Sequence, residues 1–352
     1  MTKFLLDKYK GFEPYVPGEQ PQGGYIKLNT NESPFPPSET ARKLYTAAFD
    51  RLNLYNDPEN TALCKVIADR YGVSYENVLV TNGSDEALAF IYMAYADETH
   101  PFVAPEISYG FYPVFSALVG AEKKTFPLKS DYFIDEAAFI NCDDNVIFAN
   151  PNAQTGTFMP IGQIAEMLKK PRLVVVDEAY VDFGAESALP LLKEYDNLII
   201  VRTLSKSRSL AGGRIGFAIA AKEIVSELKL VKYSFNPYNL GRAAEAAAIG
   251  AIQDEEYFRK CTAAVIGARE YTEQAAKALG MTVIDSRANF LLMKCPTMDG
   301  GELKTELMRR GVLVRHFSTP GLSEYIRVTI GSMEQMKTFI QELKNIISGA
   351  RI

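Results

Sequence analysis

From Val78 onward the chain alternates short, almost uninterrupted apolar runs with stretches of helical periodicity, and this alternation constrains the fold most. Leu173-Val-Val-Val and Leu198-Ile-Ile-Val contain no polar residue, the pattern of strands buried on both faces. Val78-Leu-Val leads into an apolar helix over 87–96, and Val146-Ile-Phe-Ala into a helix over 161–168. Residues 214–220 read as a further strand. Strands interleaved with helices in this way predict an α/β fold with a mostly parallel sheet flanked by helices. Open sheets of this type hold ligands just beyond the carboxyl ends of their strands. The polar residues that follow the apolar runs are therefore the first candidates for function.

The flanking segments differ in texture. Residues 1–37 are rich in Pro, Gly, Tyr and Phe and read as an ordered N-terminal arm rather than a packed element. A helix should follow Ser38, and another should run from about Asn60 to Tyr71 until Gly72 stops it. After Asp254 come a long helix over 255–279 and short strands over 289–294, 312–315 and 325–329. These alternate with helices, the last ending near Ser348. With 352 residues, about two domains are expected: a large one over 38–253 and a smaller α+β one over 254–352.

Composition removes several classes of chemistry. Only two histidines occur, and neither HExxH nor paired CxxC motifs are present, so no metal site is expected. A Ser-His-Asp or Cys-His site would rest on one of two distant histidines. Proton transfer should instead run through Lys, Tyr, Asp or Glu. A net charge of −5 disfavours nucleic acid as a partner. The absence of an 18-residue apolar run disfavours a membrane span, and Met-Thr-Lys-Phe-Leu-Leu-Asp-Lys turns polar too early for a signal peptide. Cys64, Cys142, Cys261 and Cys295 are scattered through apolar segments and read as small core residues. A reduced, cytoplasmic chain is the expectation.

Four clusters follow predicted strands. Asn82-Gly-Ser-Asp-Glu opens a helix and offers backbone N–H groups to an anion, although Gly-Ser-Asp is also an ordinary helix cap. Asn150-Pro-Asn-Ala-Gln-Thr-Gly156 is by itself a Pro/Asn/Gly turn. Asp177 ends an apolar run, where a carboxylate needs a partner; with Tyr180 it fits a cationic ring nitrogen and an adjacent oxyanion, while a capping Asp is the plain alternative. Lys206 lies just past a buried run, which lowers an amine's pKa and favours the nucleophilic form. Ser205 and Arg214 could hold a phosphate, or Ser-Lys could be a surface pair. In combination, an anion cradle, a ring counter-ion and an amine call for pyridoxal 5′-phosphate.

These residues, with Tyr15-Val-Pro-Gly-Glu, Leu28-Asn-Thr-Asn-Glu-Ser-Pro34, Tyr55-Asn-Asp-Pro58, Asp177-Glu-Ala-Tyr-Val-Asp-Phe183, Ala211-Gly-Gly-Arg214 and Ile326-Arg-Val-Thr-Ile-Gly331, carry a resemblance over nearly the full length. The chain resembles the fold type I pyridoxal-phosphate-dependent aminotransferases, and within them the histidinol-phosphate aminotransferase family. The resemblance implies that Lys206 carries the cofactor as a Schiff base and moves the substrate proton. It implies that Asp177 keeps the pyridine nitrogen protonated, that Asn150 and Tyr180 bond the phenolic oxygen, and that Tyr109 stacks on the ring. Ser84, Asp85, Ser205 and Arg214 would bind the cofactor phosphate, and Tyr55 would reach it from a second subunit, making a homodimer with a shared active site. Arg315 and Arg327 would bind the substrate's carboxylate or phosphate, with Tyr25 and Tyr238 as pocket walls. His316, beside Arg315, is the one histidine expected near the substrate, whereas His100 should be structural.

The family often has Asn-Asn-Pro-Thr-Gly where this chain has Asn152-Ala-Gln-Thr-Gly156, and Tyr-Pro-Asp-Pro at 55–58. The activity implied is exchange of an amino group between histidinol phosphate and 2-oxoglutarate in histidine biosynthesis. Aromatic aminotransferase activity and O-phosphothreonine decarboxylation are the alternatives on the same fold. A cofactor-sensing regulatory module would need a basic DNA-binding segment, and none precedes these motifs. A nicotinamide oxidoreductase would need GxGxxG spacing, which Gly212-Gly213 and Gly216 lack.

Overall fold

A computed structural model describes residues 2–21 and 23–349; Met1 and residues 350–352, the outer ends of the expected arm and C-terminal domain, lie outside them. Among the described residues there are twelve strands: β1 Ile26–Leu28, β2 Val78–Thr81, β3 Phe102–Pro105, β4 Lys124–Phe126, β5 Asn145–Ala149, β6 Val174–Asp177, β7 Leu198–Thr203, β8 Gly216–Ala220, β9 Thr282–Val283, β10 Phe290–Lys294, β11 Val312–His316 and β12 Tyr325–Thr329. Seven form one sheet in the order β2-β8-β7-β6-β5-β3-β4. Its pairs from β7 through β4 are parallel, and only β8 runs against its neighbours. The continuous apolar runs are the reason. Val174–Val176 and Leu198–Val201 are fully buried, because helices cover both faces of a parallel sheet.

Helix ends follow their capping chemistry. The Ser38 hydroxyl accepts from Ala41 N–H and starts Glu39–Ala48, worth about 1 kcal/mol. Thr61–Tyr71 ends at Gly72 in the left-handed region (φ +68°), where glycine pays no steric penalty. Ser332 and Gln335 form a capping box for Met333–Ile347.

The second sheet has the order β1-β11-β12-β10-β9. Its β1 comes from the N-terminal arm and pairs in parallel with β11, so this part of the arm is a packed element and not the unpaired segment expected. Two other boundaries move. The helix expected over 87–96 is Ser84–Tyr95, which brings its first N–H groups to the end of β2. The strand expected from Arg214 begins at Gly216, after Arg214 turns into the left-handed region (φ +52°). Strands β3 and β4 and the helices Tyr112–Val119 and Glu136–Asn141 were not anticipated. The two sheets share one buried cluster. Ala149 at the end of β5 and Ala153, Tyr180 and Phe183 beyond the large sheet pack with Phe290, Val314 and Val328 of the small one, so the small sheet closes over the carboxyl ends of β5 and β6. Among the described residues no helix is long and apolar enough to cross a membrane.

Candidate active site

The strand ends supply the site. Asp177 closes β6, buried at 3% exposure. Its Oδ1 accepts from Ala179 N–H at 3.1 Å and its Oδ2 from the Tyr112 hydroxyl at 3.2 Å. Among the described residues it forms no ion pair, and burial pushes its carboxyl up to about 7. A buried carboxylate in that state is stabilised by any cation brought to it.

Past β7, Lys206 is half-buried, with Nζ 3.4 Å from Thr30 O and 5.9 Å from the centre of the Tyr180 ring. Burial, reinforced by the Arg327 charge, lowers its ammonium to about 8. A sizeable neutral fraction then exists near physiological pH. The Tyr180 hydroxyl accepts from Asn31 Nδ2 at 3.1 Å, which leaves its own proton to give. Burial raises its pKa.

Past β2, Gly83 (φ +77°) introduces the helix Ser84–Tyr95 and its unpaired N–H groups. A Cβ at Gly83 would lie 2.6 Å from Arg214 Nη2, and one at Gly216 would strike Ser84 N. The Asp85 side chain accepts from the Tyr109 hydroxyl at 2.6 Å and from Arg214 Nη2 at 3.0 Å. The Ser205 oxygen accepts from the Thr203 hydroxyl at 2.9 Å, leaving the Ser205 proton free. Ser84, Asp85, Tyr109 and Arg214 are thus brought together in one hydrogen-bonded concavity, with Ser205 one residue before Lys206.

One expected placement gains a second role and another is corrected. Asn150 clasps its own loop, with Oδ1 accepting from Met159 N–H at 2.8 Å and Nδ2 donating one hydrogen to Met159 O at 2.9 Å, and its second amide hydrogen is not used by these bonds. The loop it begins closes back on itself, and Asn150 is the clasp. His316 does not share the outlook of Arg315, because successive strand residues face opposite ways. Its ring meets Gly300 and lies 2.9 Å from Ser323 O. His100 sits on the surface against Asp97.

Arg315 and Arg327 are directly opposed across β11 and β12. Arg315 donates to Val16 O at 3.0 Å and Pro17 O at 3.2 Å, so the arm is tied to the arginine that borders it. Arg327 donates to Ala153 O at 2.8 Å and to Gln154 Oε1 at 3.1 Å. A cavity of about 690 Å³ lies beside them, lined in part by Tyr15, Gln154, Arg315 and Phe317; Lys206 and Asp177 are not part of its wall. Tyr55 is 79% exposed and stacks on Tyr238 at 4.6 Å. Tyr25 is exposed just before β1. In the single chain these three tyrosines are not in hydrogen-bonding contact with the Lys206 cluster among the described residues.

Residues 24–343 match the family described as aminotransferase class I and II. The chain belongs to that family. It is 45% identical to the histidinol-phosphate aminotransferase of Brachyspira hyodysenteriae over 99% of both chains. It is 44% identical to histidinol-phosphate aminotransferase 2 of Dechloromonas aromatica, over 98% of this chain and 99% of that one. Among solved structures it is similar to the histidinol-phosphate aminotransferase of Sinorhizobium meliloti in complex with pyridoxal 5′-phosphate, with a TM-score of 0.83, 26% identity, and coverage of 92% of this chain and 91% of that one. The expected fold type I architecture is therefore present in this aminotransferase.

Several site residues of this aminotransferase were not singled out from sequence. Tyr112 reaches Asp177 from 65 positions away, and Asn31 reaches Tyr180 from 149. Tyr15 stacks on Phe111 at 4.3 Å and sits within the fields of Arg315 and Arg327; in the sequence it stood out only as the first residue of the Tyr15-Val-Pro-Gly-Glu motif, with no role attached. Behind the site, Arg202 pairs with Glu178 at 2.7 Å and reaches Asp182, while the Ser207 hydroxyl donates to Asp182 at 2.6 Å. These bonds brace the ends of β6 and β7 on either side of Lys206, which accounts for the remaining acidic residues of the Asp177–Phe183 motif.

Proposed function

We propose that this aminotransferase exchanges an amino group between histidinol phosphate and 2-oxoglutarate, using pyridoxal 5′-phosphate, as a step of histidine biosynthesis in the cytoplasm. The observation that carries the substrate reading is likeness at 43–45% identity across the whole length to relatives named for that activity. Two features support the cofactor. Asp177 is a buried carboxylate without a cationic partner, which a protonated pyridine nitrogen would supply. The cradle at Ser84 depends on two glycines, because a Cβ at Gly83 would meet the Arg214 guanidinium and one at Gly216 would meet Ser84 N.

When bound, pyridoxal 5′-phosphate supplies an aldehyde carbon to take the amino group and a ring to accept electrons when the substrate α-proton leaves. The roles fall to this chain as follows. The N–H groups of Ser84 and Asp85, the Ser205 hydroxyl and the Arg214 guanidinium hold the phosphate. Asp177 pairs with the ring nitrogen, Tyr109 covers the ring, and Tyr180 donates its proton to the ring oxygen. Asn150 holds its loop and has a second amide hydrogen to offer the same ring oxygen. Lys206 Nζ, neutral in part near pH 8, would take the proton from the substrate α-carbon and hold it as an ammonium for return. Arg315 and Arg327 receive the substrate anion, a carboxylate of glutamate or the phosphate of histidinol phosphate. Tyr55, from a second copy, would complete the phosphate site, and Tyr25 and Tyr238 would wall the pocket in such a homodimer. The corresponding division is an arm over 1–37, a cofactor domain over 38–253 and a smaller domain over 254–352.

Steady-state assays with histidinol phosphate, Phe, Tyr and Asp as amino donors test the reading. The highest kcat/KM is expected for histidinol phosphate. Faster turnover of an aromatic acid, or carbon dioxide release from O-phosphothreonine, would overturn the assignment.

A further inference from the structure

The Arg327 guanidinium is held from several sides by the protein itself. Its Cζ lies 5.1 Å from the Phe290 ring centre and 5.2 Å from that of Phe317, so two aromatic neighbours limit how it tilts. What remains is rotation within its own plane. Nη1 donates to Ala153 O at 2.8 Å and to Gln154 Oε1 at 3.1 Å, which uses both of its hydrogens. Nε–H is buried and has no partner among the described residues. A charged donor left unmade in the interior is costly, and one that awaits an anion explains it.

Gln154 is itself fixed from behind. Its N–H donates to Asn152 Oδ1 at 2.9 Å, and Asn152 Nδ2 donates to Ile107 O at 2.9 Å. Asn152 N–H bonds Thr157 O at 2.8 Å and Gly156 N–H bonds Asn152 O at 2.9 Å, while Asn150 clasps the loop to Met159. This turn holds Ala153 O and the Gln154 side chain against Arg327. Because a guanidinium only donates, the amide must turn its oxygen to it, which leaves the Gln154 NH2 group pointing away. Gln154 also lines the 690 Å³ cavity beside Arg315. A proline, which the resembled pattern has here, offers no side-chain acceptor.

We propose that Gln154 is a positioning residue for the substrate anion: it locks the Nη1 edge of Arg327 and keeps the Nε edge free to bind. The inference rests on the aminotransferase reading above. The test uses cofactor-loaded protein with Gln154→Met, which keeps length without an acceptor, and Gln154→Glu, which keeps the acceptor but opposes an anion. Maleate, a dicarboxylate that cannot be transaminated, is titrated by calorimetry, and KM for 2-oxoglutarate is measured alongside. Gln154→Met should raise the maleate Kd and the KM about five- to tenfold, and Gln154→Glu at least as much. In both, kcat should stay within about twofold and cofactor affinity and melting midpoint should not change. A maleate Kd unchanged in both variants, or a fall in kcat with KM unchanged, overturns the proposal. If wild-type protein does not turn over histidinol phosphate, the substrate reading fails, and the maleate comparison still decides the role of Gln154.

Discussion

At the scale of single residues, the site runs on two groups whose environments push their pKa values toward neutrality from opposite sides. Burial raises Asp177 to about 7 and lowers Lys206 to about 8. For Asp177 the consequence for stability has a definite sign. In cofactor-free protein the folded state keeps the proton between the ordinary value of 3.8 and about 7, whereas the unfolded chain has lost it. Stability from this group is therefore full at low pH and declines as pH rises through that window, by up to about 4 kcal/mol. Urea unfolding at about pH 5 and about pH 8 should show a smaller loss in Asp177→Asn than in wild type; equal losses would mean that the carboxyl is not desolvated. Lys206 and Asp177 were legible in the sequence because each sits at or just past the end of an apolar run. Asn31, Tyr112 and Tyr15 were not, since their meaning depends on partners that only the fold brings near. Asn150 was legible as part of a loop but not as its clasp, because a bond to Met159 leaves no mark in the motif.

At the scale of elements, the phosphate cradle depends on how closely β8 approaches the start of the helix Ser84–Tyr95. A Cβ at Gly216 would strike Ser84 N and the Gly83 backbone, neither of which is a flexible side-chain tip. Gly216→Ala should destabilise the protein by about 1–3 kcal/mol and weaken pyridoxal-phosphate binding at least tenfold. Gly267, inside the helix Glu255–Ala278 with nothing within 4 Å of its added Cβ, is the matched control: Gly267→Ala should gain about 0.5–1 kcal/mol with cofactor affinity unchanged. Thermal melts and cofactor titrations of the two variants measure both effects, and equal behaviour would contradict the close-approach account. The long apolar strands were legible for the reason that places them here, burial on both faces. β3 is only four residues, following Pro101 and ending on Pro105, β4 is half-exposed, and β1 is three residues whose strand character comes from its pairing with β11; none carries a periodicity long enough to read.

At the scale of the whole molecule, the small sheet closes over the ends of the large one, and the remaining question is what covers the exposed run Phe49, Leu52, Leu54 and Tyr55. These side chains are 50–79% exposed in the single chain, a patch that fits the proposed homodimer. Sedimentation should give about twice the 39.1 kDa chain mass. Tyr55→Ala should remain dimeric while losing roughly tenfold in cofactor affinity; a fully active monomer would remove Tyr55 from the site. The central claim is that Lys206, Asp177 and the Ser84 cradle together serve amino transfer from histidinol phosphate. Its most direct test is one spectrophotometric titration of the cofactor-loaded enzyme with that substrate alone. The account predicts that the visible absorbance of the bound cofactor disappears, returns on adding 2-oxoglutarate, and does neither in Lys206→Ala. A spectrum unmoved by histidinol phosphate but bleached by Phe, Tyr or Asp would contradict it.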